Sequence, residues 1–426
     1  MSDILIQNGR VIDPQSGLDE VTDLLIRDGQ IAGVGTGSGA AASVIDAANR
    51  IVAPGFVDTH VQLREPGFEE DETIETGSRA ALAGGFSSIA CLPNTSPPID
   101  TPAGVEFIRQ KAARAGHANV HVIGCISKNR EGQELAEIGT LVESGAVAFS
   151  DAPSPLASTD LMRRALQYCL MFDKPIFSHA EVPELSQEGI MHEGVTSLVL
   201  GLSGMPADAE DVMTSRDLRL AESTGGRLHL LNISSRDSVE QVRRAKARDV
   251  QVTAGICAAH FSLTDESLRS FDSNYKVNPP LRDQQHLDAC IAGLIDGTID
   301  VITSGHAPRA TEKKMRELDL APYGMVQLET TLSLVIMNLI VPGHLDWPSA
   351  LAKLTCNPAA VLGIPSGTLA VGADADVVII DPDVEWTLSA DQLVSRSRNT
   401  PLGGKQLRGR AETVLVGGEI RHGKPL

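Results

Sequence analysis

The stretch PGFVDTHVQLREPG, positions 54–67, runs an apolar segment into His60, and its chemistry turns on what stands two residues later. Side chains two apart on a strand share a face, so a His-x-His pair would present two imidazoles to one metal ion. Here the second place holds Gln62, whose neutral carbonyl coordinates only weakly. A centre of this type needs further histidines, a carboxylate and an open position for water. Bound water then loses its proton near neutrality and attacks as hydroxide, while a carboxylate carries the proton. Later segments hold fragments of such a set: Asp151 in AFSDAP, His179 in FSHAE, His229 in RLHLLN and His306 in TSGHAP. They are interleaved with Ala152, Asn232 and Gly305, which offer a borderline metal neither a basic nitrogen nor a carboxylate. Cys91 and Cys257 have no spacing that marks them as thiolate ligands. Ser178 is adjacent to His179 and so points to the opposite strand face, which argues against a nucleophilic serine there.

The elements that must position these residues follow from periodicity. From about Ala53 to about Leu362, short apolar runs such as SSIACLP, NVHVIGCI, AVAFSD, KPIFSHA, RLHLLNIS, DVQVTAGI and DVITSGHAP alternate with helical patterns such as STDLMRRALQYCLMFD. About eight such units, strand first, predict a closed (β/α)8 TIM barrel rather than an open doubly wound sheet. Neither G-x-G-x-x-G after the first strand nor G-x-x-x-x-G-K-[ST] occurs, so phosphate-cradling loops are absent. Barrel chemistry sits at the C-terminal strand ends, here His60-Val61-Gln62, Pro93-Asn94, Ser150-Asp151-Ala152, Ser178-His179, Asn232, Asn278 and Gly305-His306.

Both flanks read differently. ILIQNGRVID and VTDLLIRDGQIAGVG alternate as strands around a tight Asp28-Gly29 turn, and GTLAVGADADVVIIDP and ETVLVGGEIRHG repeat that style around Gly417-Gly418. Neither flank has strands enough for its own core, which predicts a small β-rich domain built from both termini: residues 1–52 plus 363–426, with the barrel at 53–362.

A net charge of −19 and a pI near 5.0 repel phosphate backbones and anionic lipid, so nucleic acid and membrane surfaces are poor partners. The run Glu69-Glu70-Asp71-Glu72 reads as a solvated loop, with docking as the alternative, and the basic AKARD and EKKMRE segments are further docking candidates. Six scattered cysteines, without a Cys-x-x-Cys pair or a secretory signal, read as reduced, buried packing residues of a cytoplasmic protein. The apolar stretch Leu332 to Val341 is too short to cross a bilayer.

The chain resembles the bacterial dihydroorotases of the metal-dependent amidohydrolases over nearly its whole length. The likeness rests on PGFVDTHVQLREPG, AGGFSSIACLPNTSPPID, VNPPLRD, GTIDVITSGHAP, YGMVQLET, CNPA, and GTLAVGADADVVIIDP with NTPLGGKQLRGR. Hydantoinases and allantoinases share the barrel but not this set. The resemblance implies metal ligands at positions 60, 62, 152, 179 and 232, and only His60 and His179 match. Gln62, Ala152 and Asn232 stand at lost positions, with His229 the nearest substitute for Asn232. Gly305 replaces the catalytic aspartate of Thr-Asp-His-Ala-Pro-His, and Arg309 the last histidine. Arg64, Asn94 and Asn278 match substrate-binding positions, although Arg64 could instead pair with Glu65 or Asp58.

Loss of both metal positions and the proton carrier implies a non-catalytic homologue with no cofactor. The resemblance implies a structural subunit, of the kind that assembles with aspartate transcarbamoylase, in a homo- or hetero-oligomer. Two alternatives stay open. One is an active dihydroorotase or related cyclic-amide hydrolase, with zinc held by His60, His179, His229 and Asp151. The other is a sensor whose vestigial pocket binds dihydroorotate or carbamoyl aspartate.

Overall fold

The computed structural model describes residues 3–35 and 41–423; residues 1–2, 36–40 and 424–426 of the expected terminal domain lie outside that range. Eight parallel strands follow one another in chain order: β1 (Phe56–Val61), β2 (Phe86–Cys91), β3 (Asn119–Gly124), β4 (Ala146–Phe149), β5 (Ile176–Ser178), β6 (Leu228–Leu230), β7 (Val252–Cys257) and β8 (Val301–Thr303). β1 and β2 are buried at every residue, as strands covered on both faces must be. That double burial is why they read as apolar runs rather than as alternation.

The barrel closes between its first and last strands. Val61 bridges His306, and Gln62 N donates to His306 O at 2.9 Å. Asp58 of β1 reinforces the seam by accepting from His60 N at 2.9 Å and from Ser304 N at 3.0 Å. Helices cover the outside; that at Thr159–Leu170 begins where Ser158 Oγ accepts from Leu161 N, and it buries Leu161, Met162, Ala165 and Leu166.

Both termini enter one mixed sheet. Its order runs Glu419–His422, Gln406–Val416, Val377–Thr387, Ile51–Pro54, Ile4–Asp13, Leu18–Arg27 and Gln30–Val34, with Ser43–Asp46 also paired to Ile4–Asp13. The Asp28-Gly29 and Gly417-Gly418 turns take positive φ at both residues, the geometry that matches the twist of a two-residue hairpin. One apolar core spans the barrel–helix layer and reaches into this sheet through Ile51, Ala53, Val378, Ile380, Leu407 and Val414. A second covers the sheet's other face with Ile4, Ile6, Leu24, Val52, Val377 and Leu415.

The structure corrects three sequence expectations here. Asp71 and Glu72 are fully buried rather than solvated. Asp71 accepts from Ala310 N and pairs with Lys313, while Glu72 accepts from Arg396 N and bonds Ser395 Oγ, so the acidic run clamps barrel loops to the 394–399 segment. Backbone donors on those loops need acceptors away from water, and the carboxylates supply them. Lys314, in the EKKMRE segment, is likewise buried, with Nζ on Pro322 O and Gly324 O. Among the cysteines, Cys356 is half-buried while the other five are buried. Among the described residues, no helix is long and apolar enough to cross a membrane.

Candidate functional site

At the C-terminal strand ends lies a cavity of 170 Å³, lined by His60, Gln62, Asn232, Cys257, Asn278, Gly305 and Arg309 among others. A larger hollow of 520 Å³, between Arg227, Lys246 and Asn357, opens at the strand starts on the far side and holds none of the expected groups. Chemistry in such a barrel belongs to the strand-end face.

The polar groups at this face are bonded to one another. Asn232, held at φ 45°, donates through Nδ2 to His60 Nδ1 at 2.7 Å and accepts from Thr303 Oγ1 at 3.0 Å. His60 Nδ1 therefore accepts, which leaves the proton of the neutral ring on Nε2. Burial lowers the His60 imidazole to about 4, so the ring is neutral at pH 7. Gln62 Oε1 accepts from Asn94 Nδ2 at 2.9 Å. Asp151 takes Ile126 N, Ser127 N and Ser127 Oγ, and burial still holds its carboxyl above the ordinary value. His179 Nε2 contacts Glu181 Oε2 at 3.1 Å, and the same carboxylate accepts from Asn278 Nδ2 and Ser186 Oγ.

Other expected groups are displaced or closed off. His229 stays inside the barrel on β6, with Nδ1 bonded to Thr253 Oγ1 at 2.8 Å and its ring against Phe177, so it does not replace Asn232. Ala152 is packed among Val57, Ile123, Phe177 and Leu231. Gly305 adopts φ 61°, and a Cβ added there would lie 2.7 Å from Cys257 Sγ. His306 is buried, near Glu72 Oε2 at 3.4 Å and accepting from Gln327 N. Asn278 sits on a loop after the Ser273–Tyr275 turn, not on a barrel strand.

Arg64 is buried with Nε on Pro308 O, and its Nη2 has no hydrogen-bond partner among the described residues. It does not pair with the acids expected for it. Glu65 pairs with Lys111 at 2.8 Å, and Asp58 holds the barrel seam. Burial, and then Arg309, lower the Arg64 guanidinium to about 9. Arg309 donates through Nε to Tyr323 O and lies 3.6 Å from Asp71. The Asn94 amide donor that could meet a carboxylate is occupied by Gln62, and its Oδ1 is unpartnered.

These residues do not fit a metal ion. His60 Nδ1 is taken by Asn232 Nδ2 and His179 Nε2 by Glu181 Oε2, Asp151 is filled with donors, and Gln62 and Asn232 are engaged. Among the described residues the one group close enough to chelate is His192, Asp283 and His286, elsewhere on the barrel rim. There Arg282 Nη1 donates to His192 Nδ1 and Arg236 N to His286 Nδ1, so both neutral rings carry their proton on Nε2, that of His192 lying 3.9 Å from Asp283 Oδ2, and neither ring has a free lone pair for a cation. Sequence reasoning weighed Cys257 only as a thiolate ligand and missed that, at the end of β7, it fills the space beside Gly305; the strand-end rule would have placed it there. It is an inert thiol, pushed up to about 12 by burial.

Comparison with known proteins is consistent across sequence and fold. A family model described as dihydro-orotase-like matches residues 49–238. The chain is 50% identical over 418 residues to a dihydroorotase of Pelotomaculum thermopropionicum, covering 98% of each. It is 48% identical to a dihydroorotase of Syntrophotalea carbinolica, covering 98% of this chain and 99% of that one. Among solved structures, the L-hydantoinase (dihydropyrimidinase) of Arthrobacter aurescens superposes with a TM-score of 0.89 at 25% identity, covering 100% of this chain and 98% of that one.

Proposed function

The chain belongs to the dihydroorotase family, and from that premise we propose that it is a non-catalytic member serving as a structural subunit, with aspartate transcarbamoylase as its partner enzyme. The observation that carries this reading is the closed state of position 305. In the active pattern an aspartate there carries the proton, whereas here the backbone is left-handed and Cys257 Sγ occupies the space a side chain would need. Loss of such a proton carrier alone costs about 10²–10⁴-fold in rate. The engagement of His60 Nδ1 by Asn232 and of His179 Nε2 by Glu181 supports the same reading, in which no metal-bound hydroxide is generated. With fold and barrel closure intact, the surface is what remains to serve a function.

A second reading, hydrolysis of dihydroorotate or a related cyclic amide with a rearranged zinc site, is favoured by the names of the close relatives. It requires His60 and His179 to exchange protons between ring nitrogens and Asp151 to give up its three donors. One experiment separates the two: metal content of protein purified with added zinc, and dihydroorotate hydrolysis on the same sample. Substoichiometric zinc and no turnover are expected. One or two tightly held zinc ions with turnover would establish the hydrolase instead.

A further inference from the structure

Between Pro175 and Ser215 the chain carries seven carboxylate residues and neither lysine nor arginine. Within this excursion the short helix Val195–Leu200 is amphipathic in the wrong sense. Thr196 and Ser197 are buried, while Val195, Leu198 and Val199 are 78%, 82% and 64% exposed. Residues at i, i+3 and i+4 share one helix face, so the three aliphatic side chains form a single stripe in water. The inverted orientation is built in. Thr196 Oγ1 donates to Glu266 Oε1 at 2.9 Å, Gly194 N donates to Ser197 Oγ at 3.0 Å, and Leu200 packs with Met191, Leu268 and Met325.

The charges carried by this same excursion select what can cover the stripe. Glu184, Glu188, Glu193 and Asp208 are exposed, and their carboxylates make no ion pair or hydrogen bond among the described residues. The neighbouring cation on the Asp265–Ser270 turn, Arg269, is already paired with Glu266. A second copy of a chain with net charge −19 would set the same unpaired carboxylates against these. A surface with the complementary pattern has an apolar hollow ringed by lysine and arginine.

We propose that the Val195–Leu200 helix is the docking face for a different chain, one presenting an aliphatic hollow with a basic rim. The inference rests on the subunit reading above and names the surface of this chain that would make the contact.

The test is sedimentation of the purified full-length chain titrated with the aspartate transcarbamoylase catalytic chain. Wild type, V195S/L198S/V199S, L198S alone and E184K/E188K/E193K are compared, each checked by circular dichroism and thermal midpoint. The expected result is a wild-type complex that loosens with salt, a loss of at least about tenfold in affinity in the serine variants and a similar loss in the lysine variant. The single change L198S, at a side chain free in water, keeps the test valid should the triple variant misfold. A wild-type complex matched in affinity by all variants overturns the inference and leaves the subunit reading standing. No wild-type complex overturns both. Wild-type dimers that L198S dissociates would make the occupant a second copy, which also overturns it.

Discussion

Gly305 leaves no room for a side chain. At φ 61° and with Cys257 Sγ 2.7 Å from an added Cβ, an aspartate there must strain its backbone and displace a thiol that itself bonds Ser304 O and Gln327 Nε2. Gly305→Asp is therefore expected to lower stability by about 1–3 kcal/mol, and Cys257→Ala in the same chain to recover part of that loss. Urea unfolding of the three proteins reads this directly, and a Gly305→Asp protein as stable as the parent would refute it. The buried Arg282–Glu210 pair makes a sharper case. Burial alone would raise the Glu210 carboxyl, but Arg282 and the donors of Ser234 and Ser235 outweigh it and hold the carboxyl below the ordinary value. A depressed carboxylate contributes stability that is present above its unfolded value and lost as pH falls through the folded one. Glu210→Gln leaves Arg282 unpaired in the interior, so it should cost about 3–5 kcal/mol at pH 7, with the gap to wild type narrowing in acid. A gap that stays constant with pH would show that packing, not the ion pair, carries the loss.

Strands and turns illustrate what a sequence discloses and what it withholds. β1 and β2 were legible because burial on both faces leaves an unbroken apolar run, and Asp28-Gly29 because only a few residues tolerate the two positive φ values of that turn. The burial of Asp71 and Glu72 was not legible. Four consecutive acids have the composition of a solvated loop, and the donors they accept from, Arg396 N and Ala310 N, come from hundreds of residues away in sequence. At the site, the absence of a carboxylate at position 305 could be read from one letter. The closure of the space by Cys257 could not, because it depends on how β7 and β8 align. The seam between β1 and β8 is the element on which site geometry depends, and Asp58 holds it. Burial raises this carboxyl to about 6 against the opposing effect of its donors, so its stabilising term is full below the ordinary carboxylate value and declines as pH rises through 6. Asp58→Ala orphans the buried amides of His60 and Ser304, at about 1–3 kcal/mol for each unsatisfied donor. Faster hydrogen exchange at Ser304, with strands distant from the seam unchanged, is the expected signature; uniform exchange across the barrel would place the effect elsewhere.

A chain of this length ordinarily unfolds in parts, but its packing argues for a single unit. The terminal sheet does not merely touch the barrel. Its strand residues Ile51, Ala53, Val378, Ile380 and Val414 belong to the same buried cluster as Phe56, Phe86 and Leu141 of the barrel layer. Polar contacts cross the same boundary: Asn119 of β3 donates to Asp376 Oδ2 at 3.0 Å, and Asp376 also accepts from Gly417 N at 2.8 Å. Separating the two layers would expose one continuous apolar surface on both, a cost proportional to area that neither layer can recover alone. Two tryptophans report on the two sides. Trp347 begins a barrel helix, Trp386 lies on a strand of the terminal sheet, and both pack against the shared cluster. The variants Trp347→Phe and Trp386→Phe each leave one reporter, and their fluorescence transitions in urea are expected to coincide with each other and with far-ultraviolet circular dichroism. Loss of Trp386 signal at lower denaturant than Trp347 would mean that the sheet unfolds first, and that the shared cluster does not bind the layers into one cooperative structure. Coincidence would mean that the chain keeps its whole surface, the Val195–Leu200 stripe included, in one fixed arrangement.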